Sequence, residues 1–184
     1  MRTYRYTGLA MAVLLGAGLI RATTLERMSL EQLTAVAERV VRVRCVAVES
    51  RFEDGEIWTR THFVVHETLK GTPVEQLTVR LLGGRVGHLT STVDGVPKFT
   101  PGEELYLFLE PSGADSFAVT SWVQGTFRIR RGAGGREFVV QDTSGVVLLD
   151  PATGRTRPGG VRDLPIEEFR DRVRAAAQAP PRGR

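Results

Sequence analysis

The sequence predicts a mainly β fold, an antiparallel barrel of five to seven strands with one N-terminal and one C-terminal helix. Three observations lead there. Between about residues 40 and 149, short apolar runs alternate with polar residues at the two-residue period of half-buried strands. Glycine, proline and aspartate separate those runs at short intervals. Helical spacing of apolar residues occurs only near the two ends of that region.

The first residues stand apart from the domain. Arg2 and Arg5 precede an uncharged run, Leu9 to Ile20, and the small residue Ala22 closes the segment. A basic start, a short apolar stretch and a small residue are the order of a secretory signal. Twelve residues are too few for a permanent span, which needs about 20. The reading is export, periplasmic or secreted, with residues 1–22 as signal and the folded domain over 23–179. Ile20 is large for its place before the cut, so an uncleaved segment is the one route to a membrane, and residues 180–184 are a tail.

The first helix starts at Ser29, which stands three residues before Gln32 with capping-box spacing. Leu30, Leu33, Val36 and Ala37 share a face, and the helix is expected to run to about Arg39. A strand follows from Val40, with Val41, Val43, Cys45 and Ala47 opposite Arg42 and Arg44. Its alternation slips at Cys45-Val46, where a bulge fits. Glu53-Asp54-Gly55 signals a tight hairpin, since Asp-Gly supplies the positive backbone angles such a turn needs. The partner strand, Glu56 to Leu69, sets Ile57, Thr59, Thr61 and Phe63 against Trp58, Arg60 and His62. Lys70-Gly71-Thr72-Pro73 ends it, and Leu77 to Leu82 forms the next strand.

The twenty residues after Gly83 are rich in glycine and proline and read as one long loop, a kind that is often functional or mobile. Strands resume over Glu104 to Glu110, Phe117 to Val123, Phe127 to Arg131 and Glu137 to Gln141, with a short one at Val146 to Leu149. Leu105-Tyr106-Leu107-Phe108-Leu109 is apolar on both faces and should be covered twice. The last helix begins near Pro165, with Ile166, Phe169 and Val173 in one stripe, and Pro180-Pro181 stops it.

Three segments carry a family resemblance: residues 37–44, Thr61 through Gly71, and Gly102 through Phe108. Their strand–turn–long strand–Lys-Gly–strand order resembles the oligonucleotide-binding (OB-like) barrel of netrin-like and tissue metalloprotease-inhibitor domains, over roughly residues 30–125. The chain also resembles a group of small exported bacterial proteins. The resemblance implies a barrel, and an extracytoplasmic protease as a partner. Those inhibitors ligate the protease metal through a mature N-terminal cysteine and carry several disulfides. Here the only cysteine, Cys45, lies inside a strand pattern.

Composition excludes several classes. The chain carries 25 Lys+Arg against 21 Asp+Glu. Loss of Arg2, Arg5 and Arg21 with a signal leaves 22 bases and 21 acids, near neutrality. The C-terminal arginines are interleaved with acids, a mixed-charge face rather than the basic stripe of a nucleic-acid binder. A single cysteine forms no intramolecular disulfide and no multi-cysteine zinc site.

No catalytic or cofactor motif emerges. His62 and His66 form His-x-x-x-His, but four strand residues span about 13 Å, too far for two ligands of one ion. Gly-x-Ser-x-Gly does not occur. Gly83-Gly84-Arg85-Val86-Gly87 has no helix after it, so it reads as a strand-end turn rather than an anion cradle. The candidate binding residues are therefore Trp58, Arg60 and His62, one face of the long strand, with Arg85, His88 and Lys98 extending it from the loop. An aromatic–cation–imidazole stripe offers stacking and hydrogen bonding to a protein partner. The competing readings are a Trp58 that merely packs beneath a neighbouring element, a small periplasmic hydrolase assembled from scattered residues, and a structural envelope component.

Overall fold

The chain folds around one long hairpin whose tip is set by a two-residue turn. In the computed structural model, which describes residues 23–143, 145–157 and 159–179, Asp54 (φ 51°) and Gly55 (φ 88°) both take left-handed angles. They join two fifteen-residue strands, which follow β1 (Thr23–Glu26) and α1 (Leu30–Val36) as β2 (Arg39–Glu53) and β3 (Glu56–Lys70). Cys45 pairs with Phe63 and Ala47 with His62, so Val46 is the extra residue of a bulge, where the alternation slips in the sequence.

The remaining elements are β4 (Gln76–Leu82), β5 (Gly84–Val86), β6 (Leu89–Ser91), β7 (Glu104–Pro111), β8 (Phe117–Val119), β9 (Thr126–Arg131), β10 (Glu137–Gln141), β11 (Val146–Leu149), β12 (Thr156–Arg157), β13 (Leu164–Pro165) and α2 (Ile166–Gln178). Five strands close a ring in the order β7-β2-β3-β4-β8 and back to β7. The sheet is mixed rather than purely antiparallel, because β4 and β8 run parallel and meet at one pair, Val79 with Phe117. The far edge of β7 is shared: its C-terminal end pairs with β8, while Leu105, Tyr106 and Leu107 pair with β9. From β9 the sheet continues through β10 to β13.

Strand β7 is apolar on both faces because it separates two cores. Leu105, Leu107 and Leu109 join Val41, Val43, Cys45, Phe63 and Val79 inside the ring. Tyr106 and Phe108 point the other way, under the helices, with Leu33, Phe127, Phe169 and Val173. Phe169 of α2 sits 4.8 Å from the Tyr106 ring and 5.1 Å from Phe127.

Local chemistry fixes both helices. The Ser29 side chain accepts from the Gln32 backbone, and the Gln32 side chain accepts from Ser29 N. At the other end, the Lys70 ammonium donates to the carbonyls of Thr34 (2.6 Å) and Ala37 (2.7 Å), which the helix leaves without intrahelical donors. The helix therefore stops at Val36, and Arg39 is already paired with Leu109 in the sheet. Glu67 holds α2 to β3, accepting from Arg170 Nη2 at 2.7 Å, Arg174 Nη2 at 2.8 Å and the Tyr106 hydroxyl at 3.1 Å.

Three further features differ from the sequence reading or are missing from it. Strand β8 ends at Val119, not Val123, because Ser121 and Trp122 take left-handed angles and lead into a 3-10 turn, Trp122–Gly125. The segment after Gly83 is not one loop: it forms the β5–β6 hairpin and then crosses the barrel mouth, where Phe99 plugs against Phe63 at 5.1 Å. Strand β1, with no periodic signal, pairs in parallel with β11. Residues 1–22 and 180–184, the expected signal and tail, lie outside the described residues. Among the described residues, no helix is long and apolar enough to cross a membrane.

Candidate functional site

The register of β2, β3 and β4 builds the candidate face row by row. Trp58 stands between Arg51 and Leu82, Arg60 between Glu49 and Arg80, and His62 between Ala47 and Thr78. Cross-strand neighbours on one face lie about 5 Å apart, close enough for these side chains to interact. All of them project outward, opposite the buried Ile57, Thr61 and Phe63. Trp58 is half-buried, but the residue that covers it is an arginine rather than a helix.

The Arg80 guanidinium lies 3.7 Å from the centroid of the Trp58 ring. That is a cation–π contact of about 0.5–1 kcal/mol at an accessible site. Glu53, reaching back from the hairpin tip, holds the stack in place. Its carboxylate contacts Arg80 Nη2 at 3.1 Å and Arg60 Nη2 at 3.3 Å. One anion thus orients two guanidinium groups, and the pair keeps a net positive charge. Arg80 Nε is buried and has no acceptor, so part of its hydrogen-bonding capacity is unspent. His62 Nδ1 lies 3.1 Å from the Thr78 hydroxyl, a cross-strand bond on the same face.

That hydroxyl–imidazole pair has the separation of a nucleophile and base, yet it lacks the rest of such a unit. Among the described residues no carboxylate hydrogen-bonds the His62 ring, and the pair lies on an open sheet face rather than in a cleft. His66 is exposed further along β3, and among the described residues no three His, Cys, Asp or Glu side chains gather around a possible metal position. Cys45 is buried at 1 % exposure inside the ring, and burial pushes its thiol above the usual range.

The three loop candidates are not brought together with Trp58. Arg85 is exposed on β5, its Nε donating to Gly87 O at 3.1 Å, and His88 is exposed at the β5–β6 turn. Lys98 lies on the other side of the sheet. It lines a cleft of about 220 Å³ with Thr59 and Thr61, the residues that alternate with Trp58, Arg60 and His62 along β3. The residues that sequence reasoning missed are Arg80, Glu53 and Thr78. The alternation of β4 (Thr78, Arg80 and Leu82 against Leu77, Val79 and Leu81) carried the signal, but only the pairing register places them beside β3.

A comparison with models of protein families finds no match, and a comparison with curated proteins finds no relative.

Proposed function

We propose that this chain is an exported binding module that recognises a protein partner through the outer face of β2, β3 and β4. The observation that carries the reading is the Trp58–Arg80–Glu53–Arg60 unit. Tryptophan and arginine supply a large share of the energy at protein interfaces. Holding them in place before contact lowers the ordering cost of association. Middle strands of an oligonucleotide-binding barrel are also its usual ligand face. The near-neutral domain favours a protein over nucleic acid. Export rests on Arg2, Arg5 and the run from Leu9 to Ile20.

An extracytoplasmic protease is the partner implied by the family resemblance. Any inhibition would use this face, since Cys45 is buried within the ring and reaches no metal of a partner.

Affinity capture from an envelope extract tests the reading, with the chain tagged after Arg184 and Trp58→Ala and Arg80→Ala as controls. One partner is expected with the wild type and lost with both variants, while their unfolding free energies stay within about 1 kcal/mol of the parent. The tag should be found outside the cytoplasm. A partner held equally well by the variants, or a Trp58→Ala chain that no longer folds, would overturn the proposal.

A further inference from the structure

The cleft on the opposite side of β3 has a chemistry of its own. It opens between the free half of the β2–β3 hairpin and the segment that crosses the barrel mouth. Val48, Leu81, Val96 and Phe99 give it an apolar body. At about 220 Å³ it is smaller than the ~300–1,000 Å³ typical of drug-sized pockets, so it accommodates a single residue-sized group.

Among the described residues, the polar side chains on its lining are hydroxyls and one ammonium. The Ser50 and Thr59 hydroxyls are spent on each other at 2.9 Å and on Gly83 O at 2.5 Å, latching the β5–β6 hairpin onto β2 and β3. The hydroxyls of Thr61 and Ser91 and the Lys98 ammonium have no hydrogen-bond or ion-pair partner among the described residues. Among the described residues that line the cleft, Lys98 is the sole ionisable one and no acid stands beside it on the lining. An apolar body with unspent donors and one uncompensated cation is complementary to an aliphatic group that ends in a carboxylate.

Apolar surface continues past the rim. Val48, Phe52 and Leu89 are 37 %, 58 % and 48 % exposed. Phe52 shares the face of Val48 and Ser50 along β2, and Leu89 shares that of Ser91 along β6. A free small acid would leave this surface uncovered, whereas an extended chain approaching the cleft would cover it. We infer that the cleft is a second binding site, separate from the Trp58 face, which takes the free C-terminal residue of a protein partner ending in an aliphatic side chain. The side chain enters between Val48 and Phe99, the carboxylate meets Lys98 and the Thr61 and Ser91 hydroxyls, and upstream residues lie along Phe52 and Leu89. Capture of a terminal carboxylate by converging donors is an established mode of peptide recognition.

The test uses the full chain, isotope-labelled, titrated with N-acetylated Leu-Ala-Val-Leu and followed by backbone amide shifts. The peptide with a free carboxylate should move the amides of Val48, Thr61, Leu89 and Phe99. Its C-terminally amidated form should bind about tenfold more weakly, and hexanoate more weakly still. Lys98→Met should weaken the free peptide to the level of the amide and leave the amide unchanged. Because Lys98 is exposed, its variant should keep the parent spectrum elsewhere. Equal binding of the two peptide forms, equal binding of hexanoate and peptide, or no shift at the cleft would each overturn the inference. The Trp58→Ala chain should bind the peptide normally, which separates this site from the outer face.

Discussion

Replacing Glu67 should loosen the C-terminal helix by an amount that depends on Tyr106. Glu67 is the shared acceptor for Arg170, Arg174 and the Tyr106 hydroxyl, and its side chain is 19 % exposed. The two arginine contacts are partly exposed, so screening holds their combined contribution to about 1 kcal/mol. The hydroxyl is different. Tyr106 is 0 % exposed, and the loss of its Glu67 acceptor leaves a buried donor unsatisfied at about 1–3 kcal/mol. Glu67→Ala should therefore cost about 3 kcal/mol, or a fall in Tm of about 6–12 °C for a domain of this size. Tyr106→Phe removes the hydroxyl and should cost about 1 kcal/mol alone. The double variant should cost only about 2 kcal/mol, because there is no donor left to orphan. Urea unfolding of the four chains measures the cycle. Additivity within about 0.5 kcal/mol would refute the argument, since it would mean that water or a rotated hydroxyl satisfies Tyr106 in the variant.

The same tyrosine predicts an alkaline signature. Burial, and then the Glu67 carboxylate beside it, push the Tyr106 hydroxyl far above the usual range. A group whose folded pKa is raised stabilises the fold below its unfolded value, about 10, and loses that contribution as pH climbs toward the folded value. The urea midpoint should fall above about pH 10, and Tyr106→Phe should flatten the fall; an unchanged slope would refute the assignment. Cys45, buried and with its thiol pushed up, should be silent to a thiol reagent in the native chain and react once urea unfolds it. Modification at equal rates in both states would place the side chain outside the ring.

Much of the barrel was legible because its strongest signals are local. The Asp54-Gly55 turn, the slip at Val46, the two-faced run from Leu105 to Leu109 and the stripe of Ile166, Phe169 and Val173 each follow from a few adjacent residues. What the sequence concealed depends on distant pairing. Thr23–Glu26 is a strand only because residues 146–149 lie beside it. The end of β8 is set by left-handed Ser121 and Trp122, residues that seldom adopt such angles. For the candidate site, alternation places Trp58, Arg60 and His62 on one face, whereas Arg80 and Glu53 require the register. Lys98 ends on the other side because Phe99, its neighbour, plugs the barrel.

The single rung between Val79 and Phe117 makes the ring a clasp rather than a hoop. Strands β2 and β3 share a ladder along their whole length, shifted in register at three places, and are joined by a two-residue turn, so they should form early and open last. The seam between β4 and β8 joins residues 38 apart through one ladder pair, so it should close late and open first. Amide exchange should trace that hierarchy, with protons at the seam lost to solvent long before those of the hairpin core. Both proposed surfaces include residues of β4, so the clasp gives each of them an edge that can yield without unfolding the domain.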